Sequence, residues 1–481
     1  MRCCFSFEFS SAPSSMPFST PSAGPATVPT TVSITGRSVA AATGRSVGAA
    51  IGRSIGRSIR RSPGAFLGLS LGLAALLLAG GCSKDKDVEP PAALLKYPNT
   101  LPVKKLWGDN VGGGKKQVKL RLGLGPALDQ DQGVVFAASH KGEVIAVAVD
   151  TGKQVWLEKL KLPLSAGPAA GFGMVVVGSS KGTIVALDAA TGKERWRSRV
   201  NSELLSAPAI GEKVVVLRSV DGRLHGLDSS SGRELWQVEQ QVPRLSLRGT
   251  AIPVIAKELA ISGFDNGKVM AVSLATGDTV WDTALASPHG RTELDRLVDI
   301  DSAVRVVGDD VFAAGFQGRP AMLALDSGQI WWAHDMSSYR GLATDAENMY
   351  VTQSDGIVVA LRERDGSEIW RNDRLKLRGV STPVETSTAV GVGDYQGYLH
   401  WLDKASGTLV ARERVAKFRV GNQPVAVGDT VVVLDDDGKM AAFRADPAAA
   451  LPPATTAAAT EPLAPPPPPP KPGKPAKPPK S

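Results

Sequence analysis

Hydrophobic and polar positions along this chain fall into a block that recurs. Its clearest copy is Gly182-Thr-Ile-Val-Ala-Leu-Asp188-Ala-Ala-Thr-Gly192-Lys-Glu-Arg-Trp196. The apolar run before the Asp reads as a strand covered on both faces. Asp and Gly then make a turn, the carboxylate accepting backbone N–H groups and the glycine tolerating a positive φ. A second strand carries the Trp, a large rigid side chain suited to filling the space between neighbouring units. The block returns as Gly142…Asp150…Gly152…Trp156, Gly222…Asp228…Gly232…Trp236 and Gly267…Gly277…Trp281. It continues as Gly318…Asp326…Gly328…Trp331, Gly356…Gly366…Trp370 and Gly397…Asp403…Gly407. An eighth opening strand at Gly438 has neither turn nor Trp after it. The mean step is about 42 residues, the length of a four-stranded propeller blade.

Upstream of each block lies another β-run, such as Met174 to Gly178 or Lys213 to Leu217. A short stretch before that, such as Ser206 to Ala209, reads as the innermost strand. The pattern therefore predicts an all-β fold, an eight-bladed β-propeller of four-stranded blades. The strand missing from the last blade has a candidate in Leu101-Pro-Val-Lys-Lys-Leu-Trp107, which matches the outer strand of the block. Pairing it with the Gly438 strand would close the ring and leave no exposed edge. The propeller is expected over residues 101–445.

The flanks have a different texture. Residues 1–62 are rich in Ser, Gly, Ala and Pro and lack hydrophobic periodicity. They read either as sequence upstream of the true start of translation or as a disordered leader. Arg60-Arg61 precedes an apolar run from Ala65 to Ala79, and Gly80-Gly81-Cys82 follows. A positive flank, a short apolar segment and small residues before a cysteine make a signal peptide rather than a membrane span. The cysteine makes this segment resemble a lipoprotein signal, although Ala79 replaces the leucine usual three places before it. That resemblance implies cleavage before Cys82, a diacylglyceryl thioether on Cys82 and a third acyl chain on the freed amine. Ser83 in the next position points to outer-membrane sorting. Residues 1–81 are thus read as leader and signal, and 82–100 as a lipidated tether. Residues 446–481, with prolines from Pro465 to Pro470, read as a disordered Ala/Pro/Lys-rich tail.

Charge and cysteine content narrow the function. Residues 1–81 hold seven Arg and one Glu and so contribute +6 of the formal +8. The remainder is close to neutral, which gives no argument for nucleic-acid binding. Of the three cysteines, Cys3 and Cys4 lie in the leader, leaving Cys82. No disulfide framework follows, and the five histidines lack the spacing of metal ligands.

The period stretches in two places: Gly222 to Gly267 and Gly267 to Gly318. The extra length forms one loop containing Leu245-Ser-Leu247-Arg248-Gly249 and another running through Arg296-Leu297-Val-Asp299-Ile-Asp301. Occupying the same step of successive blades, they are expected side by side on one face. Leu245, Leu247 and Leu297 would be apolar anchors, with Arg248 and Arg296 beside Asp299 and Asp301, a composition suited to a protein-binding patch. The alternative is that the charges bridge the two loops internally and the leucines are core.

These two loop sequences, Gly379-Val-Ser-Thr-Pro-Val, Gly393-Asp-Tyr-Gln-Gly-Tyr-Leu-His-Trp401, the repeat and the lipoprotein signal together resemble the BamB family of outer-membrane assembly lipoproteins. The resemblance covers roughly residues 82–445. It implies a non-enzymatic component of the β-barrel assembly machinery, lipid-anchored at the outer membrane and facing the periplasm. It further implies that Leu245, Leu247, Arg248, Asp299 and Asp301 contact the POTRA region of BamA, with no cofactor and no metal. The repeat is also similar to that of pyrroloquinoline-quinone dehydrogenases. Those clasp their quinone with an adjacent cysteine pair, which this chain lacks beyond its leader.

Overall fold

The computed structural model describes residues 89–111, 124–247 and 249–446. Thirty-two strands, numbered in chain order, build eight antiparallel sheets among these residues. Strand β1 (Val103–Asn110) comes first. Seven complete sheets follow: β2–β5 (127–159), β6–β9 (164–199), β10–β13 (209–239), β14–β17 (254–284), β18–β21 (305–333), β22–β25 (342–372) and β26–β29 (384–414). The eighth joins β30–β32 (425–445) to β1 in the order β1-β32-β31-β30. The innermost strands touch in succession, and β30 meets β2. The eight-bladed ring is closed by its N-terminal strand.

The closing pair runs from Val103 opposite Ala445 to Asn110 opposite Lys439, with a bulge between Lys105 and Trp107. Residues 89–100, part of the expected tether, lie against the outer side of blades 6 and 7. Ala92 N donates to Lys376 O (2.9 Å), and Thr100 N donates to Val410 O (2.8 Å). Arg378 Nη1 donates to Ala92 O (2.9 Å), and Tyr97 Oη donates to Ala411 O (3.1 Å). This part of the chain has backbone partners on the ring, which a solvated tether would not have.

The core consists of layers between blades. Each hydrophobic cluster draws on two successive blades, as Phe136 and Trp156 of blade 1 pack with Val175 and Leu187 of blade 2. Trp107, Trp156, Trp196, Trp236, Trp281, Trp332 and Trp370 each donate the indole N–H to a backbone carbonyl of the next blade's turn. For Trp196 the acceptor is Ser229 O at 2.7 Å. The indole lies over the turn glycine three residues further on. A Cβ on Gly232 would come within 2.5 Å of the Trp196 ring, and its φ of +71° already demands glycine. Blade 7 carries Ala411 at this place, and blade 8 takes its outer strand from the N-terminus and has no such turn. Tryptophan and glycine turn are present together or absent together.

Two expectations need correction. The tryptophan of blade 5 is Trp332, not Trp331. Trp332 sits opposite Met322 and bonds Glu363 O, whereas Trp331 is 55% exposed. A one-residue slip moves a strand side chain to the other face. The four-residue spacing from Gly328 marks the correct position, since Gly192–Trp196 and Gly232–Trp236 share it. The innermost strand of blade 3 is Ala209–Ile210, so Ser206 to Pro208 lead into it rather than forming it.

Candidate functional site

The two long loops connect an outer strand to the inner strand of the next blade. Residues 240–253 join β13 (Glu234–Glu239) to β14 (Val254–Ala256), and 285–304 join β17 (Thr279–Ala284) to β18 (Arg305–Val307). The second loop is pinned first. Asp299 forms an antiparallel bridge with Phe316, whose N–H donates to Asp299 O at 2.7 Å. Ile300 N donates to Phe264 O in blade 4 (3.2 Å). Leu297, Val298 and Ile300 are thereby buried. The first loop then rests on the second: Leu247 N donates to Asp299 Oδ2 at 3.0 Å. A Cβ on Gly249 would lie 2.6 Å from Asp301 Oδ2, so any side chain there would displace that carboxylate.

Beneath the loops lies a buried charge cluster that spans three blades. Arg218, at the end of β11 (Val214–Arg218), is 1% exposed and donates through Nη2 to Asp265 Oδ1 in blade 4. Its guanidinium stacks over Phe264 with 4.4 Å to the ring centroid. Carboxylate oxygens of Asp265, Asp299 and Asp301 lie within 4.8 Å of one another. Burial, and after it the facing Asp301 carboxylate, pushes Asp299 well above the usual carboxylate range. Burial likewise raises Asp301 and Asp265. Three acids this close do not all ionise around one guanidinium, so the cluster retains protons into the neutral range. That spacing is short enough for three carboxylates to share a metal ion. Arg218 already supplies a cation to the group, which disfavours a second.

The structure distributes the anticipated residues unevenly. Leu245 is exposed at 39%, Leu247 is half-buried, and both belong to the loop face. Asp299 is fully buried and Asp301 half-buried, so Asp299 supports the loop from beneath. Leu297, expected as an anchor, is core at 7% exposure because the Asp299 bridge draws its segment inward. Leu294 is the exposed leucine of that loop at 71%. Arg248 and Cys82 lie outside the described residues. Sequence reasoning missed Arg218 and Asp265. The Asp265 carboxylate pairs with Arg218 of the preceding blade. The signal was present: the place of Arg218 in its repeat is held by uncharged residues in other blades, Ala138, Gly178, Gly263, Thr352, Gly393 and Leu434. An arginine at an otherwise uncharged position marks a special local partner.

The loop face borders the axial channel. Leu247, Gly249, Thr250 and Asp301 line a cavity of about 1080 Å³ to which every blade contributes. A family model described as Outer membrane protein assembly factor BamB matches residues 140–372 and 354–451. The protein of that name from Pseudomonas aeruginosa is 48% identical over 77% of this chain and 97% of its own. This chain belongs to the BamB family. The Escherichia coli BamB is 34% identical over 76% of this chain and 96% of its own. The crystal structure of BamB from Moraxella catarrhalis superimposes with a TM-score of 0.64 at 27% identity, covering 71% of this chain and all of that one. A quinohemoprotein alcohol dehydrogenase from Comamonas testosteroni shares the fold, with a TM-score of 0.57 at 13% identity over 72% of this chain and 77% of its own. Pyrroloquinoline quinone does not fit this BamB channel by its residues. Residues 89–446 contain no cysteine to clasp it, and the channel's Glu385 is engaged by Lys404 at 3.0 Å.

Proposed function

We propose that this chain is a non-enzymatic scaffold of the outer-membrane β-barrel assembly machinery, docking to the periplasmic POTRA region of BamA through the face built on Leu245 and Leu247. The lipid on Cys82 would hold the ring at the outer membrane, facing the periplasm. Family membership supports the assembly role, since the relatives carry the name of outer-membrane protein assembly factors. The observation that carries the docking reading is the Leu247 N–H to Asp299 Oδ2 bond. It fixes an exposed leucine loop on a buried support, so the loop meets its partner pre-ordered and loses less freedom on binding. In this reading Leu245, Leu247 and Arg248 touch the partner, while Asp299 and Asp301 hold them in place.

Affinity for purified BamA POTRA domains tests it, with melting temperature as the folding control. Leu245→Ala and Leu247→Ala should each weaken binding by about 1–3 kcal/mol, the range for a truncated apolar anchor. Leu245→Ala should leave the melting temperature unchanged, because that side chain is exposed. Normal binding by both folded variants would place the partner surface elsewhere on the ring.

A further inference from the structure

The two loops of the docking face share one support, and a residue from the preceding blade holds that support. It is the turn Phe264-Asp265-Asn266-Gly267 between β15 (Leu259–Gly263) and β16 (Lys268–Ser273). Asn266 Nδ2 donates to Gln240 Oε1 (3.2 Å) at the start of the first loop. Phe264 O accepts from Ile300 N (3.2 Å) in the second loop. The residues on either side of Ile300 then seat the first loop: Asp299 Oδ2 accepts from Leu247 N (3.0 Å), and Gly249 closes on Asp301. A shift of the turn is therefore passed to both loops.

Arg218 of blade 3 fixes this turn. Its Nη2 donates to Asp265 Oδ1 at 2.5 Å, and its guanidinium lies 4.4 Å from the centroid of the Phe264 ring. Ion pair and stack grip two consecutive residues of the turn, which takes a planar cation with a fork of donors. The side chain is 1% exposed, so it reaches no partner itself. A buried ion pair adds little net stability over apolar side chains of similar volume. What this pair supplies is geometry: it holds the support of the loops in one place, so that the loops are ordered before they bind.

We propose that Arg218 is a positioning residue for partner docking, setting the place of Leu245 and Leu247 by holding Phe264 and Asp265 without touching the partner. The proposal rests on the docking reading of those leucines. A second buried pair supplies a matched control. Arg378 Nη2 lies 2.7 Å from Asp394 Oδ2, the side chains are 3% and 0% exposed, and the guanidinium stacks over Tyr395 at 5.0 Å. Arg378 lies between blades 6 and 7, and it holds Ala92 O rather than a docking loop.

Affinity of the purified full chain for BamA POTRA domains tests it. Arg218→Met should weaken binding about tenfold or more, the size of coupling found within one hydrogen-bonded network. Arg378→Met should bind as the unmodified protein does, although it breaks a buried pair of the same kind. Because Arg218 acts through the loops, Arg218→Met combined with Leu245→Ala should weaken binding by less than the product of the two separate losses. Should Arg218→Met fail to fold, Arg218→Met/Asp265→Asn removes both charges of the pair and is judged by the same affinities. If Leu245→Ala weakens binding and the folded Arg218 variant does not, the docking reading stands and the positioning role is overturned. Losses that multiply, or an equal loss in Arg378→Met, overturn it as well, since Arg218 would then act independently of the loops or only through overall stability. Normal binding by both Leu245→Ala and Leu247→Ala overturns the docking reading, and this proposal with it.

Discussion

Asp299 has no exposed surface, yet it holds Leu247 of the neighbouring loop in place. Its environment makes a pH prediction. Burial and the facing carboxylates of Asp301 and Asp265 raise its folded-state value above the ordinary one near 3.9. The folded state therefore binds this proton more tightly than the unfolded state does. The stability it contributes is full below about pH 4 and is lost as pH rises towards and through neutrality. Asn at this position keeps an oxygen to accept from Leu247 N–H but cannot titrate. Melting temperature measured from about pH 5 to 8 should fall more steeply for the unmodified protein than for Asp299→Asn. Equal slopes would show that Asp299 is already ionised in the folded ring. Asp299→Ala differs again, because it leaves a backbone donor unsatisfied at a cost of about 1–3 kcal/mol.

Among the elements, the outer strand gives the sharpest contrast. Strand β21 (Ile330–Ala333) carries two adjacent tryptophans that occupy opposite faces. Trp332 packs against the next blade and bonds Glu363 O at 2.9 Å. Trp331 faces outward. Urea unfolding should show Trp332→Ala losing about 3 kcal/mol or more, the usual cost of emptying a large aromatic site. Trp331→Ala should stay within about 0.5 kcal/mol of the unmodified protein, as exposed substitutions do. Comparable losses would mean that the strand register in blade 5 is wrong. Composition alone assigns the strand but cannot separate these neighbours; the four-residue step from the turn glycine does, and from Gly328 it selects Trp332.

For the whole molecule, the ring and its anchor are separate problems. Closure lies in the pairing of β1 with β32, which brings residues more than three hundred positions apart into one sheet. In the proposed function, anchoring falls to Cys82, seven residues before the first described residue, Glu89. Intact-mass measurement on membrane-extracted protein should find a chain that starts at Cys82 and carries the mass of its acyl chains. Cys82→Ser should leave the ring folded but release it from the membrane fraction. An unmodified Cys82, or residues 1–81 still attached, would remove the anchor from the proposed function.

What the sequence by itself determined is what repeats or is conspicuously missing. Apolar runs, Asp-Gly turns and tryptophans recur with one period, because every blade solves the same local packing problem against an identical neighbour. The N-terminal strand was legible because both ends of the repeat are incomplete in complementary ways. The two loops were legible as departures from the period. Tertiary structure alone decided what crosses between blades without repeating. Arg218 and Asp265 lie 47 residues apart and meet only when blade 3 stacks on blade 4. Asp299 reads as a surface charge in sequence and becomes a buried support once its bridge to Phe316 forms. Periodicity encodes contacts that every unit shares, whereas a contact made once has no period and is specified only by the geometry of the closed ring.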